Sequence, residues 1–285
     1  SGTTHLHNLL TQDPQFGYLT MGHCITADAF LTMPGWINRI LAGKMPESRP
    51  VDGVAMGWEV PQEEEFALER ITELSYNHCY LFPDRAEEIF RRCVTFDAGP
   101  QYSLSWMCQY DQLIRRLSFD QEGKTLCLKN PPNTARIKEL LAIYPDARFV
   151  YIVRHPEQVF RSTRKLWQTV TRMLGLTIAP PEQLEANFLL FYELLLKRYL
   201  AERAAIPEGH LIEVKFEDVD QQPVSTLERI YSELNLNGFE SAKPRILEYA
   251  ESLKHFQKNP HRLDPDDLQT VRERWGFAID EWNYE

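Results

Sequence analysis

The stretch that decides the fold is Ala147-Arg148-Phe149-Val150-Tyr151-Ile152-Val153-Arg154-His155-Pro156-Glu157-Gln158-Val159-Phe160-Arg161-Ser162-Thr163-Arg164-Lys165-Leu166-Trp167. Phe149 to Val153 is a short unbroken run of β-branched and aromatic residues, the pattern of a strand buried on both faces of a parallel sheet. Arg154 then stands at the carboxyl end of that strand. Pro156 suits the first turn of a helix, where a missing N–H costs nothing, and Val159, Phe160, Thr163 and Leu166 continue at helical spacing. Ser162 falls about two turns into this helix. Open α/β sheets bind ligands beyond the carboxyl ends of their strands, so Arg154 and Ser162 can converge there on an anion. A surface Arg and a solvated Ser are the competing reading of the segment taken alone.

Two further stretches bear on that choice. The chain opens Ser1-Gly2-Thr3-Thr4 and runs directly into His5-Leu6-His7-Asn8-Leu9-Leu10, a hydroxyl-rich turn feeding an apolar-periodic helix. Backbone N–H groups at such a start, beside Ser and Thr hydroxyls, form a phosphate cradle. Lys129 closes Thr125-Leu126-Cys127-Leu128-Lys129, a second strand candidate that brings a cation to its end. Together these features resemble the PAPS-dependent sulfotransferases, in particular their bacterial-type branch: a Ser-Gly-Thr-Thr phosphosulfate loop, and an Arg followed eight residues later by a Ser that grip the 3′-phosphate. The resemblance implies an α/β, P-loop nucleotide-kinase-like three-layer fold with a central parallel sheet flanked by helices. It also implies 3′-phosphoadenosine 5′-phosphosulfate as co-substrate, held by Ser1, Gly2, Thr3, Thr4, Arg154 and Ser162, with no metal. The reaction implied is sulfuryl transfer to an acceptor hydroxyl on a phenol, steroid, lipid-like alcohol or sugar. Relatives carry Tyr-Glu-Asp where this chain has Phe216-Glu217-Asp218, the aromatic lying near the adenine, and a late basic loop that corresponds to His261 and Arg262.

Composition sets the outer bounds. The 285 residues, 43% hydrophobic and 25% charged, suffice for a full core, and with no internal repeat or low-complexity linker, one sulfotransferase domain over 1–285 is the simplest organisation. A net charge of −10 argues against a nucleic-acid-binding surface, so local basic residues must supply any anion site. Five cysteines without metal-like spacing point to reduced thiols and a cytoplasmic setting. No apolar run is long enough to span a bilayer, the nearest being Phe188 to Leu196, which Glu193 interrupts. The strand expected before the phosphate loop is missing, which implies residues upstream of Ser1 and leaves room there for a signal or anchor.

The reaction needs a base. His23 follows Thr20-Met21-Gly22 near the point where relatives place a catalytic Glu, and a His close to its ordinary pKa can take a proton from a hydroxyl; the alternative is a loop His without a role. Glu59 and Glu63 are the reserve candidates, for the base itself or for orienting His23. Gln62 to Glu65 otherwise read as the solvated acidic first turn of a helix, complementing its dipole. Lys129 can stabilise charge on the departing phosphate oxygen, or be a plain strand-end Lys. The dense aromatics Tyr76, Tyr80, Phe82, Phe96, Tyr102, Trp106 and Tyr110 read mostly as core, with some lining an apolar acceptor pocket. A nucleotide-dependent phosphotransferase is the alternative within the same fold group, disfavoured because Ser-Gly-Thr-Thr lacks the Lys of a Walker loop. A non-catalytic nucleotide-binding protein is the other alternative.

Overall fold

The computed structural model describes residues 2–45, 57–252 and 264–284. In chain order the elements are α1 (Thr3–Leu10), β1 (Phe16–Gly17), α2 (Met21–Ile25), α3 (Gly35–Ala42), α4 (Glu64–Ile71), α5 (His78–Leu81), α6 (Ala86–Cys93) and α7 (Pro100–Asp120). There follow β2 (Thr125–Leu126), a 3-10 turn at Pro131–Ala135, α8 (Ile137–Ile143), β3 (Phe149–Val153), α9 (Pro156–Leu174) and α10 (Pro181–Glu202). β4 (Leu211–Lys215), α11 (Phe216–Gln221), α12 (Pro223–Glu233), α13 (Phe239–Ser252) and α14 (Pro265–Glu281) complete the order.

Both strand pairs among the described residues are parallel, beside one isolated antiparallel bridge between Thr20 and Pro61. β3 lies beside β4 in a register that sets Phe149 against Leu211 and Val153 against Lys215, and β1 lies beside β2. Parallel neighbours need long crossovers. Here α9 and α10 connect β3 to β4, and α2 to α7 connect β1 to β2. β3 has the bounds its hydrophobic run predicts. The strand predicted over 125–129 forms a ladder only at Thr125 and Leu126, the Cys127 N–H still donating to the Gly17 carbonyl at 2.8 Å, because the polar groups beyond that bond elsewhere. The Cys127 carbonyl accepts from His7 Nε2 at 2.9 Å, and the Lys129 N–H donates to Glu64 Oε1 at 2.9 Å. Burial holds the His7 ring neutral, its pKa lowered to about 4.

Two packed regions flank these strands. One gathers α4, α6, α7, α9, α10 and α14 around Phe90, Trp106, Trp167, Phe191 and Trp275, with the Phe90 and Phe191 rings stacked at 4.1 Å. The other seats α1, α12 and α13 on Ile212 and Val214 of β4. The alternation along β4 explains this placement: Ile212 and Val214 are buried toward α12 while Leu211, Glu213 and Lys215 are less enclosed. α1, β3 and β4 are thereby fixed relative to one another, which is what positions the site.

Candidate active site

β3 and β4 end level with each other, so the residues that follow them stand side by side. Arg154 comes after Val153, and Phe216 after Lys215, the partner of Val153 in the register. The Arg154 guanidinium lies over the Phe216 ring at 4.3 Å, a cation–π contact, and its Nε donates to Gln158 Oε1 at 3.0 Å. Burial draws the Arg154 pKa down while Glu217 pulls it back up. On the ring's other contact sits the opening loop. Gly2 is the residue before α1, with φ of 88°, and a Cβ there would come within 2.2 Å of Phe216 Cδ2. Only glycine fits, for its left-handed backbone and for the closeness of the ring. No side chain caps the start of α1, so the N–H groups and positive dipole end of its first turn remain a cradle for an anion.

Thr4 ties this cradle to Lys129, three residues beyond β2. Its Oγ1 lies 3.4 Å from Lys129 Nζ, and the same ammonium pairs with the Glu63 carboxylate. Glu63 precedes α4, and the two carboxylates after it are buried. Glu64 Oε1 accepts the Lys129 N–H, and its Oε2 lies 3.4 Å from the Tyr110 hydroxyl. Enclosure, only partly offset by Lys129, raises the Glu64 pKa to about 7. Glu65 forms a buried ion pair with Arg136 at 2.6 Å and accepts from Asn130, from the Ser75 hydroxyl and from the Tyr76 N–H. Arg136 in turn donates to the Cys93 carbonyl and stacks on Trp106 at 4.4 Å. The solvated reading of this acidic turn is therefore corrected. Glu64 and Glu65 are 0% and 1% exposed, and their partners, all outside α4 and most of them dozens of residues away, are what make such burial tolerable.

The favoured base lies elsewhere. His23 is the third residue of α2 and closes a capping box with Thr20: its Nδ1 accepts the Thr20 N–H at 3.0 Å. Nε2 then carries the proton and lies 3.1 Å from Asp120 Oδ2. Burial lowers the His23 pKa, with Asp120 and Glu59 opposing. Glu59 lines a separate cavity of about 330 Å³ together with Tyr18, Thr20, Lys124 and Arg245. Gly2, Thr3, Thr4, Glu63, Lys129, Arg154 and Ser162, by contrast, all line one cleft of about 1410 Å³, and neither His23 nor Glu59 is among its lining residues. Both ring nitrogens of His23 being engaged in capping and pairing, the geometry sets it and Glu59 apart from the expected nucleotide contacts. Ser162 is exposed on α9 and its hydroxyl donates to the Val159 carbonyl at 3.0 Å. His155 caps α9, its Nδ1 accepting the Glu157 N–H at 3.3 Å. Ser1, His261 and Arg262 lie outside the described residues.

The rest of the cleft is largely apolar: Phe66, Tyr76, Tyr80, Leu81, Ile114 and Leu166 line it. Trp106, by contrast, is fully buried in the core. Among the described residues no group of three or more His, Cys, Asp or Glu is arranged to hold a metal ion. A profile of the sulfotransferase family matches residues 1–241. The chain belongs to the sulfotransferase family. This sulfotransferase is 28% identical over all of its 285 residues to the omega-hydroxy-beta-dihydromenaquinone-9 sulfotransferases Stf3 of Mycobacterium bovis and Mycobacterium tuberculosis, covering 73% of each. Its fold is that of the crystal structure of sulfotransferase STF1 from Mycobacterium tuberculosis H37Rv. The TM-score is 0.72 and the identity 22%, over 97% of this chain and 73% of that one. STF9 from Mycobacterium avium gives a TM-score of 0.63 at 18% identity, over 99% of this chain and 74% of its own. The likeness supports the α/β fold predicted from the opening stretch.

The sequence reading missed Glu64, Glu65 and Arg136 as parts of this region. One signal was present: three successive Glu ahead of Phe66-Ala67-Leu68 is an odd choice for a helix whose first two residues face a core.

Proposed function

We propose that this sulfotransferase moves the sulfuryl group of 3′-phosphoadenosine 5′-phosphosulfate to the hydroxyl of a lipid-like alcohol. The observation that carries the reading is that Gly2 and Arg154 meet one ring, Phe216, and themselves line the cleft that Thr4 and Lys129 also line. Such a site has the parts a nucleotide bearing separated phosphates requires: helix N–H groups and Thr hydroxyls for the phosphosulfate, and a guanidinium with the Ser162 hydroxyl for the 3′-phosphate. A Cβ at position 2 would run into the Phe216 ring, so glycine there lets the opening loop close onto the ring that Arg154 covers.

The walls support the lipid-like acceptor. The cleft exceeds the few hundred to about 1,000 Å³ usual for a single small ligand, and its lining beyond the charged groups is apolar. Stf3, a relative, is named for a menaquinone derivative hydroxylated at its omega position, and a hydroxyl at the end of an apolar chain suits these walls. In the proposed reaction Glu63 takes the acceptor hydroxyl proton. The acceptor oxygen attacks sulfur as the bond from sulfur to the phosphate oxygen breaks, and Lys129 with the first N–H groups of α1 stabilises the charge left on that phosphate. Positioning supplies most of the remaining rate.

Calorimetry with 3′-phosphoadenosine 5′-phosphate tests the nucleotide site. Arg154→Ala should weaken binding by roughly 10- to 100-fold, the value of a charge-assisted contact. An unchanged dissociation constant would remove Arg154 from the site. Turnover of labelled donor with long-chain alcohols and omega-hydroxylated isoprenoid quinones, set against phenols and sugars, tests the acceptor class; faster turnover of phenols or sugars would refute it.

A further inference from the structure

The last turn of α9 and the link to α10, Met173-Leu174-Gly175-Leu176-Thr177-Ile178, turns four large aliphatic side chains outward. Met173 and Leu174 are 52% and 55% exposed, Leu176 71% and Ile178 93%. Hydrophobic side chains scattered singly on a surface need no account, whereas four within six residues form a patch. The backbone that presents them is fixed. The Gly175 N–H donates to the Thr171 carbonyl at 2.9 Å, the Leu176 N–H donates to the Leu81 carbonyl at 2.7 Å, and the Thr177 hydroxyl donates to Asp84. A Cβ on Gly175 would lie 2.4 Å from the Thr171 carbonyl oxygen, so the turn needs glycine there.

Two observations indicate what this patch meets. Met173 and Leu174 also line the large cleft, so the exposed apolar surface and the apolar interior are continuous. The segment 156–178 carries Arg161, Arg164, Lys165 and Arg172 against Glu157 alone, four positive charges to one negative, in a chain of net charge −10. Arg164 is committed to Glu185 and Asp267, but Lys165 and Arg172 are exposed and, seven residues apart, share a face of the helix. Asp84, the nearby acid, accepts from Thr177. Exposed aliphatic side chains beside a basic helical face are the features that seat a peripheral protein on anionic lipid.

We propose that Met173–Ile178 rests in the surface of an anionic membrane, and that the acceptor passes from the lipid into the cleft beside Met173 and Leu174. The second half of this proposal rests on the lipid-like acceptor; the first does not. The test uses the whole chain with no donor or acceptor, in flotation with vesicles of phosphatidylcholine containing roughly 30% phosphatidylglycerol and with vesicles of phosphatidylcholine alone. Wild type should float with the anionic vesicles and less with the neutral ones. The double variant L176S/I178S, at positions that do not line the cleft, should partition about 10- to 100-fold more weakly while binding 3′-phosphoadenosine 5′-phosphate as wild type does. Absence of wild-type flotation with either vesicle overturns the proposal, as does a variant that floats like wild type. So does a wild-type dimer in sedimentation velocity that the variant abolishes, because the patch would then serve a second copy of the chain. Vesicle binding without turnover of any lipid alcohol would leave the membrane contact standing and refute the acceptor class.

Discussion

Replacing Glu64 by Gln should make the protein more stable at neutral and alkaline pH and change little in acid. The carboxyl is wholly enclosed, and burial raises its pKa from 4.5 to about 7. Between those values the folded chain keeps a proton that the unfolded chain has released, so stability falls as pH rises. This contribution is complete below about pH 4.5 and is gone once pH passes the folded value near 7. Glutamine resembles the neutral acid. Its oxygen can accept the Lys129 N–H as Glu64 does at 2.9 Å, and its amide nitrogen faces the Tyr110 hydroxyl. At about 1.36 kcal/mol per pH unit, the variant should gain roughly 2–3 kcal/mol on wild type between pH 5 and pH 8. Urea unfolding followed by tryptophan fluorescence at four pH values measures this, and the difference between the two proteins cancels every other titrating group. Parallel curves, agreeing to within about 0.5 kcal/mol across the range, would refute the reasoning, since Glu64 would then be equally charged in both states.

The other predictions concern the base, the buried pair and the loop. Glu63→Gln should lower turnover by roughly 10²- to 10⁴-fold, the usual worth of a general base. His23→Ala should leave turnover within a few-fold and cost about 1 kcal/mol of stability through the lost capping box; a large loss of turnover in the His23 variant with intact nucleotide binding would return the base to that residue. Arg136→Leu strips Glu65 of its partner in the core, and urea unfolding should show a loss of about 3–5 kcal/mol; a near-neutral effect would mean that Ser75, Asn130 and the Tyr76 N–H suffice. Gly2→Ala should weaken binding of 3′-phosphoadenosine 5′-phosphate by at least tenfold, roughly 1.4 kcal/mol, because the new methyl meets Phe216; calorimetry showing wild-type affinity would mean that the ring moves aside freely.

What was legible in the sequence was whatever depends on neighbours in the chain. Phe149 to Val153 carries its own strand signal, and Pro156 and Pro181 open α9 and α10 where a proline fits a first turn. Boundaries moved where distant groups intervene. The strand leading to Lys129 loses its ladder because a histidine from α1 and a glutamate from α4 take its carbonyl and its N–H. Pro131 and Pro132 open a 3-10 turn, and α8 begins only beyond it, at Ile137. His23 shows the same limit at the site. Its residue type and its distance from the loop suit a base, but a Thr three residues earlier makes it equally suited to a capping box, and Asp120, far along the chain, engages the other nitrogen.

The acidic turn is the sharper case, because its solvated reading followed a sound rule and still misjudged two of its carboxylates. Successive residues at a helix start differ in direction by about 100°, so three adjacent carboxylates reach three different partners. Glu63 meets the Lys129 ammonium, Glu64 the Lys129 backbone, and Glu65 turns to Arg136. Both ends of the segment from Lys129 to Arg136 are thus tied to one turn of α4, and all three carboxyls lie at the positive end of that helix, which favours the charge on Glu63 and Glu65. The division of labour on Lys129 follows. Its backbone is fixed by a buried group that has no other use for its acceptor, while its ammonium is shared between Glu63 and Thr4 at the edge of the cradle. An anion arriving over α1 would therefore compete for the ammonium alone, with the backbone position of Lys129 already set, which is the preorganisation that electrostatic stabilisation of a leaving group requires.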